Sequence, residues 1–483
     1  MIQTKIGIPV KYYACMVMIF IFSIQSSHAQ RYWSLQECVD QAIKNNITVQ
    51  QRELTKQGAK ADFTQSKFAA LPSLNGQITQ NYQNGFAINP ATNGAQTDLT
   101  FRNNNFALSS STVLFNGFQQ SNTIRLQQNN FKASEQDVES MKNTIRLNVA
   151  NAYLQVLMNN EILESSIIQV QSTKQQINRQ QKLVEFGAAN KVKLLQLKAQ
   201  LSNEELQIIT NQNLVEQSYL TLWQTLNIET DTANKIIKPE LNVESIVAES
   251  RSPKDIYDAY ISQSPDVKAA EIRSRAAELS KFVSLGGRSL RLTMTASMST
   301  LYSTQTQQGV GNSVLIPRPV GVDASGNPLY LGVYAPYYSS YEVTPFIDQF
   351  NKNLGKSLGF TASVPIFNAW QVNTNVQKAK INQFTAHLNE KQVQLDLYKT
   401  IVQAHQNLKA AEKKYDATKN SFDANKESFL LAEGQFNLGA ISTVDYLSTK
   451  NEFLKAQASF VQAKYELVFR RKVLDFYLGK PLN

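Results

Sequence analysis

Two stretches of the chain carry an apolar residue at every seventh position. The positions are Val156, Leu163, Val170, Ile177 and Val184 in the first stretch, and Leu408, Tyr415, Phe422, Phe429 and Phe436 in the second. A seven-residue apolar period is typical of long helices that supercoil around their neighbours. Because neither Pro nor Gly occurs between Gly117 and Gly187, the pattern predicts an uninterrupted helix of about 65 residues, on the order of 100 Å long.

Four shorter segments, residues 72–83, 104–115, 289–302 and 356–367, alternate between apolar and polar residues. Such alternation is typical of β-strands with one apolar and one wet face. The polar rows are rich in Ser, Thr, Asn and Gln, which argues against a second buried face. The apolar rows include Leu74, Ile78, Phe106, Leu108, Leu292, Met294, Phe360 and Ala362.

The same order of elements occurs twice along the chain. Leu114-Phe115-Asn116-Gly117 is matched by Ile366-Phe367-Asn368-Ala369, and Phe186-Gly187 is matched by Leu438-Gly439, in both cases after 252 residues. The chain therefore divides into a first repeat at 30–228, a linker at 229–251 and a second repeat at 252–483.

Each repeat is predicted to contain an opening helix, two strands, a long helix and a shorter returning helix. The opening helices are expected near 34–70 and 252–285. Gly187 and Gly439 suit the left-handed position that ends a helix, with Asn190 and Ser442 as caps of the returning helices. The second repeat also has a long Tyr-rich loop at 303–353, and the sequence does not assign its role.

The N-terminus has the composition of a secretory signal peptide. Lys5 and Lys11 precede an apolar run that ends near Ile24, and the small residues before Gln30 suit cleavage after Ala29. The run is shorter than a helix that spans a bilayer comfortably. Residues 1–29 are therefore predicted to be a signal peptide, and the mature protein is predicted to be exported.

Amphipathic strands in an exported chain indicate a membrane β-barrel whose apolar rows face lipid. Four strands cannot close into a barrel, and each backbone group left unpaired in hydrocarbon costs several kcal/mol. Several chains must then share one barrel. A soluble sheet packed against helices remains the alternative explanation of the same strands.

Composition excludes several other classes of protein. A mean hydropathy of −0.31 with 18% charged residues does not fit a polytopic helical membrane protein or a disordered chain. Two Cys and three His leave little material for a disulfide scaffold or a metal site, and His387 and His405 have no convergent carboxylates near them. Cys38, beside Val39 and Ala42, is expected to be a small core residue.

The chain shows no motif of an enzyme or of a nucleic-acid-binding protein. Phosphate loops, nucleophile elbows and zinc signatures do not occur in it, so neither catalysis nor a cofactor is expected. The net charge of +10 comes from Lys and Arg scattered along the helices, without a basic block or aromatic interleaving. This distribution predicts a solvated helix surface rather than a nucleic-acid site.

The doubled architecture resembles the outer-membrane efflux proteins, the TolC-like exit ducts. The resemblance covers nearly all of the mature chain and includes Leu71-Pro72-Ser73-Leu74 before the first strand. It implies a fold that is mostly α-helical with a small β part: long coiled-coil helices form a periplasmic tunnel, and four strands per chain form a shared 12-stranded barrel in the outer membrane. It also implies a homotrimer that serves as the passive duct of a tripartite efflux or type I secretion system.

The resemblance further implies partners and site residues. The helical tips would dock on a periplasmic adaptor coupled to an inner-membrane transporter, and the barrel would contact outer-membrane lipid. The tip residues are Phe186, Gly187, Ala188, Ala189, Leu438, Gly439, Ala440 and Ile441. The need for Gly at a helix end explains Gly187 and Gly439 equally well.

Members of the family close the tip with a ring of aspartates and with Tyr and Arg ties between helices. Asp445 lies where the outer ring carboxylate is expected, and Ser448 lies where the second is expected. Phe436 and Ile441 stand in place of the Tyr and the Arg. Asp445 has a second explanation, since an acidic residue in the first turn of a helix is favoured by the helix dipole and completes a cap.

Two further alternatives stay open at this point. Phe115, Phe118, Phe367 and Trp370 suit an aromatic belt at the inner lipid boundary, although they also suit packing of the bend between strand and helix. The chain as a whole also fits an exported coiled-coil structural or adhesive protein without a pore. The alternating segments separate these two functions, because a structural spacer does not need them.

Overall fold

The computed structural model describes residues 32–88, 95–188, 190–229, 235–239 and 251–480. The expected signal peptide at 1–29, most of the expected linker at 229–251, and Ala189 of the first tip lie outside the described residues. The described chain forms two compact units. One comprises described residues within 1–57, 133–271 and 389–483, and the other comprises those within 58–132 and 272–388.

The first repeat runs from a short strand through two opening helices, a hairpin of strands, a long helix and a returning helix. Its elements are β1 (Tyr32–Trp33), α1 (Leu35–Asn45), α2 (Ile47–Phe68), β2 (Ser73–Ile88), β3 (Ala95–Asn116), α3 (Gln119–Glu185), α4 (Lys191–Leu226) and β4 (Lys235–Ile236).

The second repeat has the same order, with additional short elements between its two long strands. Its elements are α5 (Pro253–Tyr260), α6 (Pro265–Gly286), β5 (Arg291–Ser303), β6 (Gln307–Val310), β7 (Val314–Val322), β8 (Pro328–Tyr337), β9 (Ser340–Val343), α7 (Phe346–Lys352), β10 (Gly355–Ser363), α8 (Gln371–Asn437) and α9 (Thr443–Tyr477).

The long helices α3 and α8 have 67 residues each. The first residue of α8 follows the first residue of α3 by 252 positions, and the last residues of the two helices have the same separation. None of the ten seven-spaced apolar side chains is exposed. The predicted fold class, mostly helical with a small β part built from a repeated unit, is confirmed. No helix in the described part of the chain is both long and apolar enough to cross a bilayer.

Both opening helices differ from the prediction of one continuous helix each: the second, expected near 252–285, is divided into α5 and α6, and the first, expected near 34–70, is broken at Asn46. The backbone of Asn46 is extended, with φ −66° and ψ 119°, and it ends α1. Its side-chain oxygen then accepts hydrogen bonds from the amides of Thr48 and Val49 at 2.9 and 3.1 Å. Asn46 thus closes one helix and caps the next, which a periodicity of apolar residues does not reveal.

The strands also differ from the predicted bounds. β2 and β3 reach residues 88 and 95, so most of the expected loop between them is paired strand. β10 ends at Ser363 rather than at 367. Pro365 follows two residues later, and it has no amide hydrogen to donate to a neighbouring strand. The loop at 303–353 contains β6 to β9 and helix α7.

The four long strands form one antiparallel sheet in the order β10-β5-β3-β2, so β10 and β2 are its outer strands. The described residues also form three separate two-stranded pairs: β1 with β4 in parallel, and β6 with β9 and β7 with β8 antiparallel. Tyr153 of α3 contacts the β1–β4 pair: its hydroxyl donates to the carbonyl oxygen of Ile237 at 2.5 Å and also lies 3.2 Å from the carbonyl oxygen of Trp33.

The main apolar core lies in the unit that contains the returning helices. Val156, Leu222, Leu226 and Leu474 are fully buried there, and Cys38 lies among them as the sequence predicted. This core fixes α3, α4, α8 and α9 side by side.

Candidate functional site

The four-stranded sheet separates apolar and polar side chains onto opposite faces. Residues directly opposite each other on neighbouring strands share a face, and the register pairs Ile78 with Phe106 and Leu108 with Met298. The same rule links Leu74 through Ser110 and Ala296 to Leu358. All eight residues predicted for the lipid side therefore lie on one face: Leu74, Ile78, Phe106, Leu108, Leu292, Met294, Phe360 and Ala362.

A β-bulge between Val113 and Phe115 changes the alternation at the end of β3. Beyond the bulge, Phe115 lies opposite Leu292 and so joins the apolar face. Phe118, Phe367 and Trp370, which follow the ends of these strands, are 68%, 83% and 60% exposed. The residues considered for an aromatic belt are thus mostly uncovered within one chain, although Phe115 and Phe118 contact each other edge to face at 5.5 Å.

The opposite face of the sheet is polar. The hydroxyl oxygens of Ser297 and Ser357 are 2.7 Å apart across β5 and β10, and the hydroxyl of Thr295 donates to the carbonyl of Gly359 at 3.5 Å. A row of hydroxyl groups suits contact with water better than contact with lipid.

One of the eight apolar residues is covered more than the sequence suggested. The ring of Phe106 contacts Phe346 and Phe350 of α7, with both pairs of centroids 5.8 Å apart. Leu292 and Met294 are half-buried, whereas Leu74, Ile78 and Phe360 are more than 60% exposed. Phe106 therefore shares the apolar face but offers only part of its ring.

The first hairpin tip is closed by a Schellman motif. Gly187 has a φ of +72°; its amide donates to the carbonyl of Val184, and the amide of Ala188 donates to that of Leu183. These two bonds satisfy the carbonyls at the end of α3. Asn190 then caps α4 by accepting from the amide of Val192 at 2.9 Å.

The second tip repeats this geometry. Gly439 has a φ of +77°; its amide donates to Phe436, and the amide of Ala440 donates to Gln435. The hydroxyl of Ser442 accepts from the amide of Asp445 at 3.1 Å and starts α9. The predicted helix ends at Gly187 and Gly439 are therefore confirmed.

We expect substitutions at two neighbouring glycines to have opposite effects. Gly439→Ala should destabilise the second tip by about 1 to 2 kcal/mol, because an L side chain disfavours a positive φ. Gly434→Ala should stabilise the protein by about 0.5 to 1 kcal/mol, since Gly434 lies inside α8 and a Cβ there meets nothing within 4 Å. Thermal melting followed by circular dichroism at 222 nm measures both, and equal shifts for the two variants would contradict the assignment of Gly439.

Both tips expose large apolar side chains. Phe186 is 83% exposed and Leu438 is 86% exposed. The tip residues Gly187, Ala188, Gly439 and Ala440 are exposed as well, and Ile441 is half-buried. Two uncovered apolar side chains at the ends of hairpins are candidates for contact with another protein.

The four residues considered for a gate divide into two exposed side chains and two that pack in one apolar cluster. Asp445 and Ser448 are exposed, and the carboxylate of Asp445 accepts from the hydroxyl of Ser442 at 2.7 Å. Phe436 is only 8% exposed, and Ile441 packs on the same cluster of apolar side chains. This hydrogen bond from the Ser442 hydroxyl makes Asp445 part of the N-terminal cap of α9.

The two hairpins differ in the chemistry of their seams. In the hairpin of α8 and α9, Phe436 stacks on Tyr446 at 4.5 Å, and further stacked pairs join Phe429 with Phe453 at 5.0 Å and Phe422 with Phe460 at 5.1 Å. The positions 252 residues earlier hold aliphatic side chains, namely Val184, Leu194, Ile177, Leu201, Val170 and Ile208. The duplication therefore preserves the positions but not the type of contact.

A buried ion pair joins the two hairpins, and the sequence analysis missed it. The Lys450 side chain of α9 is 0% exposed, and its Nζ lies 2.8 Å from Oε1 of Glu204 in α4. The hydroxyl of Thr173 in α3 lies 2.5 Å from both groups. Burial lowers the pKa of Lys450, while the carboxylate of Glu204 opposes that shift. Thr443, seven residues before Lys450, is buried as well, but neither residue is apolar, so no hydrophobic period in the sequence marks this lysine as inward-facing.

Other polar contacts link the hairpins nearer the tips. Nη2 of Arg179 in α3 donates to the carbonyl of Asn437 at the end of α8, at 3.2 Å. The side-chain amide of Gln176 donates to Glu433 at 3.0 Å and also contacts the hydroxyl of Tyr446. The described residues contain no group of three His, Cys, Asp or Glu side chains placed to hold a metal ion.

Solved structures of outer-membrane channels share this fold at low sequence identity. The chain is similar to CusC, with 17% identity and a TM-score of 0.73 over 95% of this chain and 96% of that one. It is similar to Campylobacter jejuni CmeC, with 19% identity and a TM-score of 0.68 over 91% of this chain and 84% of that one. It is also similar to the open state of Neisseria gonorrhoeae MtrE, with 15% identity and a TM-score of 0.69 over 93% of this chain and 89% of that one. No curated protein shows significant similarity to the chain.

A family model described as outer membrane efflux protein matches residues 38–227 and 256–480. The two matched segments correspond to the two repeats. The match confirms the predicted resemblance and the location in the outer membrane, and the family is one of efflux-type channel proteins. The chain belongs to the outer membrane efflux protein family.

Proposed function

We propose that the protein is the passive outer-membrane duct of a tripartite efflux or type I secretion system. Three copies pool their four-stranded sheets into one 12-stranded barrel, with the apolar face toward lipid and the polar face toward a water-filled lumen. The observation that carries this proposal is the segregation of side chains on the sheet, with β2 and β10 as its outer strands. Backbone groups on those outer strands need partners in hydrocarbon, and neighbouring copies supply them.

Family membership favours this function over a structural or adhesive coiled-coil protein without a pore. A structural coiled-coil protein does not need a sheet with hydroxyl groups, such as those of Ser297 and Ser357, on one face and apolar side chains on the other. A conduit needs both faces.

Planar-bilayer recording of the purified protein tests the proposal. We expect stepwise ion conductance together with a trimeric mass in detergent. In this proposal, conductance depends on assembly of the sheets of several copies. A protein that remains monomeric and conducts no current would contradict the proposal.

The exposed tips are proposed to dock on a periplasmic adaptor that is coupled to an inner-membrane transporter. Phe186→Asp combined with Leu438→Asp should reduce cross-linking of the adaptor in envelopes by about tenfold or more, because burying a carboxylate at an apolar contact is costly. Both side chains are over 80% exposed, so the fold should not change.

Leu206→Asp is the matched control for the tip variants. Leu206 is 62% exposed on α4, 19 residues beyond Gly187, and its substitution should leave adaptor capture unchanged. Loss of capture in the control, or full capture by the double tip variant, would remove the tips from the docking surface.

Asp445 is proposed to contribute to a constriction at the tip. Its carboxylate is exposed next to Ser448, which adds no charge. The expected ring of aspartates is thus half present. Phe436 and Ile441 take no part in this proposal, because both pack in the core of the hairpins.

A further inference from the structure

Helix α7 packs on the apolar face of the four-stranded sheet, near one end of that face. Phe346 contacts Tyr302 of β5, with ring centroids 5.4 Å apart. Phe346 and Phe350 together cover part of Phe106 on β3. The face that carries the predicted lipid-contacting side chains therefore ends under a short helix.

The helix is fixed to β5 by hydrogen bonds. The side chain of Gln349 is buried, with 1% of the residue exposed. Its Nε2 donates to the backbone carbonyls of Ser303 and Thr344, and its Oε1 accepts from the backbone amide of Ser303. The hydroxyl of Thr300 donates to the carbonyl of Phe350 at 2.7 Å. These bonds give α7 a defined position relative to the strand.

The register gives the distance between α7 and the opposite end of the apolar face. Leu292, which lies opposite Phe115, and Tyr302 are ten residues apart on β5. At about 3.4 Å per residue the strand covers about 34 Å, and a tilt of about 40° reduces this to a height of about 26 Å. Outer-membrane barrels have an apolar band about 25 Å tall between two aromatic girdles. Tyr302 and α7 thus fall at the level of the outer girdle, if the Phe115 row marks the inner one.

Other residues at this level suit an interface between lipid and water. Tyr82 is 68% exposed and lies opposite Arg102 on the same face. The guanidinium of Arg102 lies 5.6 Å from the ring centroid of Tyr302. Aromatic rings with polar groups beside them are enriched at membrane surfaces.

The exposed side of α7 has a matching division of apolar and polar side chains. Ile347 is 60% exposed and Phe346 is 45% exposed, and at about 100° per residue they lie on adjoining flanks of the helix. Asp348, Asn351 and Lys352 are also exposed, on the side turned away from the Phe pair. The helix is therefore amphipathic on its uncovered surface.

A lysine and a groove lie below α7 on the same face. A groove of about 350 Å³ in the sheet is lined in part by the apolar side chains of Leu74, Leu108, Met298 and Leu358, and also by Lys356. Lys356 is exposed opposite Met298. A lysine in this position places its methylene groups on apolar surface and extends its ammonium group toward lipid phosphates.

We propose that α7 is an interfacial helix that contacts the outer leaflet of the membrane at the boundary between headgroups and acyl chains. This inference rests on the proposed function, because it requires the sheet to lie in a bilayer. The occupant of the exposed surface is lipid: acyl chains contact Ile347, Phe346 and the groove, and a headgroup phosphate contacts Lys356. The contact fixes how deeply the sheet sits in the membrane.

Depth-dependent fluorescence quenching tests the inference. The variants Ile347→Cys, Phe360→Cys and Thr361→Cys, each in the mature chain without the expected signal peptide and its Cys15, are labelled with a thiol-reactive fluorophore and placed in phosphatidylcholine vesicles. Cys38 is fully buried and the three sites are mostly exposed, so the unsubstituted chain serves as the labelling control. Lipids brominated at carbons 6 and 7 probe shallow depths, and lipids brominated at carbons 11 and 12 probe deep ones.

We expect the label at position 347 to be quenched at least twice as strongly by the shallow bromines as by the deep ones. The label at 360 should respond to the deep bromines, and the label at 361, on the opposite face, should respond only to aqueous iodide. Iodide quenching at 347 with no response to either lipid, while 360 still responds, would overturn the interfacial position of α7 alone. Absence of lipid quenching at 360 as well would overturn both this inference and the proposed barrel.

Discussion

Glu204→Ala should be among the most destabilising single substitutions in the helical unit. The change leaves the ammonium group of Lys450 buried, with the hydroxyl of Thr173 in hydrogen-bond contact and the carboxylate of Glu433 as a remaining opposite charge. Removing one member of a buried ion pair typically costs about 3 to 5 kcal/mol, because the remaining charge stays desolvated. The expected result is a large drop in the midpoint of thermal unfolding, followed by circular dichroism at 222 nm in detergent.

The adjacent glutamate supplies a matched control. Glu205 pairs with Lys174 at 3.0 Å, but both side chains are about half exposed, and such surface pairs contribute at most about 1 kcal/mol. Glu205→Ala should therefore melt close to the unsubstituted protein. If the two variants melted at the same temperature, the buried pair would have no special role.

The same variant should acquire a dependence on pH with a defined sign. Without Glu204, burial lowers the pKa of Lys450 with less opposition than before. The unfolded chain then binds more protons than the folded one between the folded pKa and the ordinary value of about 10.4, so stability rises with pH in that window. Glu204→Ala should melt at a higher temperature at pH 9 than at pH 7, relative to the unsubstituted protein at each pH.

A charge placed on the apolar face of the sheet should prevent stable membrane insertion. Met294 lies on that face opposite Phe360, three residues after the start of β5. An arginine facing lipid costs up to about 2 to 4 kcal/mol, less toward the interfaces than at the midplane, and every copy in an oligomer bears that cost. Met294→Arg should reduce the amount of folded protein in the outer membrane by about tenfold or more, measured by membrane fractionation and resistance to detergent.

Thr295→Arg is the control for Met294→Arg, because the next residue along β5 lies on the polar face. The hydroxyl of Thr295 contacts the carbonyl of Gly359 on that side. Insertion should be preserved, and the added positive charge should shift the ion selectivity of the channel toward anions. Equal insertion of the two arginine variants would contradict the assignment of the faces.

Much of the fold was predictable because the repeats preserve their spacing. The offset between Phe115 and Phe367 equals that between Gly187 and Gly439, which located both hairpins of helices from one pattern. The faces of the strands were predictable for a similar reason. Alternation assigns every second residue to one side of a sheet, and the register links these rows across all four strands.

Features that depend on contacts between distant residues were not predictable in this way. Thr173, Glu204 and Lys450 come from three helices, and no local pattern joins them. The bulge beside Val113 inserts a residue without any Gly or Pro to mark it. Helix α7 is only seven residues long, too short for a periodicity, and its position depends on Gln349 and Phe106.

The different seams of the two hairpins have a consequence for motion. Stacked rings such as Phe429 and Phe453 prefer a narrow range of relative orientations, whereas branched aliphatic chains such as Ile177 and Leu201 tolerate small sliding movements with less loss of contact. We therefore expect the paired helices α3 and α4 to slide along each other more readily than the paired helices α8 and α9.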